Sequence, residues 1–183
     1  MSAVLPRHRV NVLTGTKSAR LIEDPAEYAE LIKKAKRPLL VVGPLLLGTS
    51  PEGKLLLEYA LDLARAGGIP ICATAQTRGK IVELGVQPDC LYDAVEIVNA
   101  LKDPDWQGVK KEGNHDLVMF CGIRSDLGSQ GLSTLKHFAR HLKTMTLCKH
   151  YFPHATYSLP NFKKDSEWYE FLESLIANLK KGD

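Results

Sequence analysis

The sequence predicts a three-layer α/β/α sandwich on a mostly parallel, Rossmann-like sheet of about five or six strands. Short apolar segments alternate with amphipathic helices along the 183 residues. The segments 38–42 and 116–121 each run directly into a glycine, Gly43 or Gly122. The strands at 38–42 and 69–74 begin 31 residues apart, the length of a βαβ unit. Continuous apolar strands joined by helices are typical of parallel sheets buried on both faces.

The first helix is predicted to begin at Asp24 and Pro25. Asp24 is expected to accept a hydrogen bond from the N–H of the third helical residue, and Glu27 to complete a capping box. Residues 1–23 are predicted to be an irregular lead-in, with a strand or turn at Val10–Leu13. An apolar helix face follows at Tyr28, Leu31, Ile32 and Ala35.

The later elements follow from the same periodicities. A second helix is predicted to begin at Ser50-Pro51 and to end at Gly67-Gly68, before the strand at 69–74. The rest are a polar turn at 75–79, a short helical piece at 80–85, a helix at 91–101, the strand at 116–121, a helix with Leu132, Leu135, Ala139 and Leu142 on its buried face, strands at 144–148 and 155–158, and a helix at 166–180.

We expect the five main strands to lie in the order 2-1-3-4-5, counted along the chain. This order places the loops at Gly43 and Gly122 side by side at the carboxyl edge of the sheet. Ligands of open α/β sheets bind at such a switch point.

Composition narrows the function classes. The net charge of +3 is mild and the basic doublets are scattered, so a solvated surface is favoured over a nucleic-acid track. The longest apolar run, Leu39–Leu47, is too short to span a membrane, and no signal-peptide pattern is present. We therefore expect one cytoplasmic domain over residues 1–183, with no nucleic-acid or membrane partner.

The four cysteines are widely spaced. They are interpreted mainly as small buried hydrophobic residues. Cys121 and Cys148 are expected on neighbouring strands, which leaves an iron–sulfur or zinc site as the alternative. His137 and His141 lie four apart but lack a metalloprotease motif, so surface histidines are favoured. No metal site is predicted.

The first candidate binding loop is Gly43-Pro44. A glycine after a strand lets a phosphate approach the backbone. However, this loop lacks the dinucleotide fingerprint, Pro44 has no N–H, and no acidic residue follows the next strand, which disfavours standard NAD binding. Arg78 is interpreted either as a phosphate ligand or as a solvated turn residue. The candidate residues after the second main strand are Thr74, Gln76, Thr77 and Arg78.

The second candidate loop is Gly122, Ile123, Arg124 and Ser125. Its position at the switch point favours a site in which Arg124 neutralises an anion. The alternative is a tight turn with a surface arginine. A nucleophile elbow and a P-loop are both absent from the sequence, and no catalytic residues are predicted.

Three segments, KRPLLVVGPLLL, IPICATAQT and HDLVMFCGIRSD, resemble the NAD/FAD-binding domain of thiamine-diphosphate enzymes and deoxyhypusine synthase. With the lead-in GTKSARLIEDP, the whole chain is similar to epsilon subunits of the archaeal carbon monoxide dehydrogenase/acetyl-CoA decarbonylase/synthase complex.

This resemblance implies an accessory subunit without activity alone, paired with a large nickel–iron–sulfur alpha subunit, with two copies of each. Such a subunit stabilises alpha or assists electron transfer to FAD, during carbon monoxide oxidation or carbon dioxide reduction and reversible acetyl-CoA cleavage. No tightly bound cofactor is expected. FAD is the one cofactor for which weak binding is expected as an alternative, with at most micromolar affinity. Self-association of the isolated chain also stays open. The alternative function is a stand-alone flavin- or nucleotide-binding redox protein.

Overall fold

The computed structural model describes residues 17–51 and 53–181. It contains a seven-stranded sheet in the order β1-β7-β6-β5-β2-β3-β4, and every pairing is parallel. The strands are β1 (Arg20–Leu21), β2 (Pro38–Val42), β3 (Ile71–Ala73), β4 (Cys90–Leu91), β5 (Leu117–Cys121), β6 (Lys143–Thr146) and β7 (Tyr157–Ser158).

Helices cover both faces of this sheet. They are α1 (Pro25–Lys33), α2 (Leu56–Gly67), α3 (Ala75–Glu83), α4 (Ala94–Lys102), α5 (Ser125–Phe138) and α6 (Asp165–Lys180), with a short 3₁₀ helix at Pro44–Leu47. Helices α1, α2 and α6 build one apolar cluster with the sheet, and α4 and α5 build a second cluster on its other face. The predicted three-layer sandwich is therefore confirmed.

The two central strands show why the sheet is parallel and buried. Leu40 and Val42 of β2 belong to the first cluster, whereas Leu39 and Val41 belong to the second. All four are fully buried, so β2 alternates between two cores rather than between a core and water. The predicted order of the five main strands is also confirmed, because β3, β2, β5, β6 and β7 follow one another.

Two edge strands were not predicted. β1 lies inside the segment expected to be irregular, and β4 lies at the start of the helix predicted for 91–101. Each has two residues, too few for a periodic signal. The strand β1 is defined by its pairing with β7, and β4 by its pairing with β3. The strand or turn predicted at Val10–Leu13 falls outside the described residues.

Four helix starts differ from the prediction. Helix α5 begins at Ser125, inside the loop expected at 122–131, and it ends at Phe138, so Ala139 and Leu142 are buried beyond its end. The polar turn predicted at 75–79 is the beginning of α3, and α4 begins at Ala94. The α4 start is fixed by Asp93, whose carboxylate accepts from the N–H groups of Val95 and Glu96, both at 2.8 Å. Helix α2 begins at Leu56 rather than at Ser50, because the backbone turns back first, with Ser50 N donating to Lys54 O at 2.7 Å.

Helix α1 begins where it was predicted, with different contacts. Asp24 accepts from the N–H of Ala26 at 2.8 Å instead of from the third residue. The predicted capping box is absent from these contacts, because Glu27 pairs with Arg20 of β1. The pair links the edge strand to the helix that follows it.

Two aromatic side chains complete the hydrogen bonding at the end of β6. Strand β7 pairs with β6 only at Met145. The hydroxyl of Tyr28, on α1, donates to the carbonyl of Thr146 at 2.8 Å. The indole Nε1 of Trp168, on α6, donates to the carbonyl of Leu147 at 3.0 Å. Both bonds are buried. They give hydrogen-bond donors to two carbonyls that have lost contact with water, which avoids the free-energy cost of burying an unpaired polar group.

Within the described ranges, none of the helices has the combination of length and apolar character needed to cross a membrane.

Candidate functional site

The two predicted loops lie side by side at the carboxyl edge of β2 and β5. The N–H of Gly43 donates to the carbonyl of Cys121 at 2.9 Å. The N–H of Leu45 donates to the carbonyl of Gly122 at 3.0 Å. The strand order therefore brings the Gly43 and Gly122 loops into direct contact.

Chain atoms fill the space between these loops. A Cβ atom added to Gly43 would lie 2.5 Å from both the carbonyl oxygen of Gly122 and Cδ1 of Ile123. A Cβ atom on Gly122 would overlap Cγ of Leu46. The two glycines thus allow one loop to pack on the other. Two buried side chains take part in this contact, the predicted Ile123 and Leu46, which sequence reasoning missed.

This packing bears on whether an FAD pyrophosphate fits at the edge. Such a group binds to unpaired backbone N–H groups at a glycine loop and helix N-terminus. Here the N–H groups of Gly43 and Leu45 already donate to the carbonyls of Cys121 and Gly122, and Pro44 has no N–H group. The Gly43 loop therefore does not fit a pyrophosphate in this conformation.

The candidate residues after β3 divide into a buried and an exposed pair. Thr74 and Thr77 are buried, and the Thr77 hydroxyl donates to the carbonyl of Thr74 at 2.9 Å. Gln76 and Arg78 are exposed on the first turn of α3. The two threonines thus hold the start of α3 in place, and the exposed pair faces water.

Arg124 and Ser125 are exposed at the start of α5. The guanidinium of Arg124 grips the carboxylate of Asp126 with two contacts, Nη2–Oδ2 at 2.7 Å and Nε–Oδ1 at 3.2 Å. This hydrogen-bonded partner holds the pKa of Asp126 below its usual value. The positive charge predicted to meet an anion is therefore matched within its own helix turn.

Cys148 lies beneath the Gly122 loop, another feature that sequence reasoning missed. Burial raises the pKa of its thiol to about 11, although the nearby backbone N–H groups of Gly122 and Ile123 oppose the shift. Cys121 belongs to the first core cluster, whereas Cys148 packs against the second. The two thiols predicted to be close therefore lie on opposite faces of the sheet. Among the described residues, no group of three His, Cys, Asp or Glu side chains could hold a metal ion.

Three leucines are exposed around the two loops. Leu45 is 56% exposed, Leu47 39% and Leu127 37%. Leu45 and Leu47 belong to the 3₁₀ helix after β2, and Leu127 to the first turn of α5. We call these three residues the carboxyl-edge leucines. The sequence signal was the run Pro44-Leu-Leu-Leu47, which continues beyond the end of the buried strand.

A small cavity of about 130 Å³ lies at the opposite, amino edge of the sheet, among Arg37, Pro38, Lys110 and His115. The imidazole of His115 contacts the carbonyl of Arg37 through Nδ1 at 3.0 Å and accepts from the N–H of Val109 through Nε2 at 3.2 Å. Burial lowers the pKa of His115, which favours the neutral ring these contacts require. The ring therefore joins two backbone segments.

Known proteins resemble the chain over most of its length. A family model described as "CO dehydrogenase beta subunit/acetyl-CoA synthase epsilon subunit" matches residues 2–176. The chain is 43% identical over 166 residues to "Acetyl-CoA decarbonylase/synthase complex subunit epsilon" of Methanothermobacter thermautotrophicus, covering 91% of each chain. It is 39% identical over 157 residues to "subunit epsilon 1" of Archaeoglobus fulgidus, covering 85% of this chain and 82% of that protein. It is 36% identical over 166 residues to "subunit epsilon 1" of Methanosarcina barkeri, covering 90% and 92%.

Proposed function

Because the chain belongs to the CO dehydrogenase beta subunit/acetyl-CoA synthase epsilon subunit family, we propose that it is a non-catalytic accessory subunit of an acetyl-CoA decarbonylase/synthase complex. In this proposal it docks on the large nickel–iron–sulfur alpha subunit and stabilises it, with two copies of each. The observation that carries the proposal is the match to relatives named epsilon subunits over 91% of the chain. The carboxyl edge agrees with it, because the hydroxyls of Thr74 and Thr77 and the thiol of Cys148 contact backbone atoms or one another rather than a general base.

The carboxyl-edge leucines are the surface that we propose for docking. Exposed leucines on two adjacent elements offer apolar area to a partner, and burying one leucine contributes about 1.5–3 kcal/mol. The partner on this proposal is the large subunit, with an apolar surface of its own. Docking here would use the edge of the sheet at which the contact between the Gly43 and Gly122 loops leaves no space for a ligand.

The Leu45→Asp variant tests this surface. Leu45 is 56% exposed, so the change is tolerated in the isolated chain, but it places a carboxylate against the partner. We expect at least about 10-fold weaker binding to the large subunit, since each tenfold corresponds to about 1.4 kcal/mol. The measurement is surface-immobilised binding of the native and variant chains, with circular dichroism to confirm folding.

Phe138→Asp is the matched control. Phe138 is 72% exposed and ends α5. It therefore lies about 20 Å along that helix from its carboxyl-edge start. We expect it to bind as the native chain does. Native-like binding by Leu45→Asp would refute the docking surface alone. Failure of the native chain to bind the large subunit, or carbon monoxide oxidation by the isolated chain with a viologen dye, would refute the accessory role.

We further propose that the subunit works without a tightly bound flavin, so that any role in electron transfer to FAD depends on the assembled complex. The support is the contact between Gly43 and Gly122, which occupies the switch point. Calorimetric titration of the isolated chain with FAD should give at most micromolar affinity, and Arg124→Ala should weaken any signal. A nanomolar dissociation constant would instead favour the stand-alone flavin protein.

A further inference from the structure

Cys72 and Cys90 face each other across the pairing of β3 with β4. The register places Cys72 directly opposite Cys90. Neighbouring strands lie about 4.8 Å apart, and disulfides join Cα atoms about 4.4–6.8 Å apart. Both thiols are free in the structure. We propose that Cys72 and Cys90 form a redox-active dithiol that closes to an intrachain disulfide by exchange with a small-molecule disulfide.

Both side chains lie on the same face of the sheet. Cys72 belongs to the second core cluster, and Cys90 packs against that cluster. In-register neighbours of a parallel pair point to the same side, so little backbone movement is needed to join the two sulfur atoms. Cys121 and Cys148 lack this relation, because they lie on opposite faces. The fold therefore selects one pair among the four thiols.

The two thiols differ in the way that an exchange reaction requires. Cys72 is completely buried, whereas Cys90 is half-buried at the edge of the sheet. Hydrogen bonding from Cys72 lowers the pKa of Cys90, and the same bond, followed by burial, raises the pKa of Cys72. Because the thiolate is the nucleophile, Cys90 is the attacking residue and Cys72 the resolving residue.

The reaction balances in two steps. The thiolate of Cys90 attacks one sulfur of the small-molecule disulfide, forms a mixed disulfide and releases one thiolate. The thiol of Cys72 then attacks the sulfur of Cys90, its proton passes to the departing sulfur, and the second half of the small molecule leaves as a thiol. The chain loses two electrons and two protons, and the small disulfide is reduced to two thiols.

Closing this bond would fasten the crossover that contains α3. Residues 72–90 run from β3 through α3 to β4, which is two residues long and is flanked by two backbone hydrogen bonds to β3, from Asp89 N and Tyr92 N. Helix α3 also contacts the 3₁₀ helix that carries Leu45 and Leu47. Oxidation would thus reduce the motion of an element beside the carboxyl edge.

The test is oxidation of the folded full-length chain with excess oxidised glutathione. Remaining thiols are then alkylated with N-ethylmaleimide after acid quenching and unfolding, and peptides are identified by mass spectrometry. We expect the free thiol count to fall from four to two. The linked peptides should contain Cys72 and Cys90, with Cys121 and Cys148 alkylated. Hydrogen exchange across residues 75–91 should slow after oxidation.

Three single variants separate the steps. Cys72→Ala should accumulate a stable glutathione adduct on Cys90, because the resolving thiol is missing. Cys90→Ala should leave Cys72 unmodified over the same time, because Cys72 is completely buried. Cys121→Ala is the matched control and should form the Cys72–Cys90 link at the native rate.

Four results would overturn the proposal. The first is a native chain that keeps all four thiols, and the second is a glutathione adduct on Cys90 that does not convert to the intrachain link. The third is a link between Cys121 and Cys148. The fourth is the same mixture of pairings in the folded chain as in the chain oxidised in urea.

Discussion

Replacing Gly122 by alanine is expected to lower the free energy of unfolding by about 2–5 kcal/mol. The backbone of Gly122 has a φ of +70°, which costs a residue with a Cβ atom about 1–2 kcal/mol. The new Cβ would also overlap Leu46 and lie 3.0 Å from the carbonyl oxygen of Gly43. Overpacking of this kind costs about 1–3 kcal/mol. Urea unfolding followed by circular dichroism measures the difference.

Gly85→Ala is the matched control for this prediction. Gly85 has a φ of +75°, but an added Cβ would meet nothing within 4 Å. Only the backbone cost of about 1–2 kcal/mol should then appear. If Gly122→Ala and Gly85→Ala lose the same stability, the Gly122 loop is not packed against Leu46 as the structure describes.

Trp168→Ala is expected to lower the free energy of unfolding by about 3–5 kcal/mol, the usual range for a buried large aromatic residue. Trp168 is buried in the first core cluster, where α6 covers the sheet. Its indole Nε1 also donates to the carbonyl of Leu147 at 3.0 Å. The loss therefore combines a cavity with a buried carbonyl that has lost its strongest donor.

Trp168→Phe separates these two contributions. Phenylalanine keeps most of the ring in the core but removes the N–H group, so we expect a smaller loss of about 1–3 kcal/mol. Phe138→Ala, at a 72% exposed helix position, is the control and should change stability by no more than about 0.5 kcal/mol. Equal losses for Phe138→Ala and Trp168→Ala would contradict the placement of α6 against the sheet.

The parts of the fold that the sequence predicted are those with long apolar signals. The strands β2 and β5 are continuous apolar runs, because both of their faces are buried, and their ends at Gly43 and Gly122 are visible in the sequence. Their order in the sheet follows from the general rules for βαβ units. The edge strands β1 and β4 carry no such signal, since two residues show no periodicity and only their partners define them.

The candidate site could be located from the sequence, but its interior could not. Loop positions follow from strand ends, so Gly43 and Gly122 were correctly expected to be neighbours. Whether the space between them stays open depends on side-chain placement, and Leu46 was hidden within an apolar run that extends past β2. The Cys72–Cys90 pair was missed for a related reason, because it exists only once β4 is known to pair with β3.

The shortness of β1 and β4 has a consequence for behaviour at high concentration. A long, flat outer strand offers unpaired N–H and C=O groups as a template on which another chain can add a strand and start to aggregate. In the described part of the chain, the outermost strands have only two residues each. Such short edge strands offer a second copy few backbone groups to pair with, so the sheet is protected from growing into a fibre. Contacts between this protein and other chains are therefore made by side chains rather than by backbone pairing.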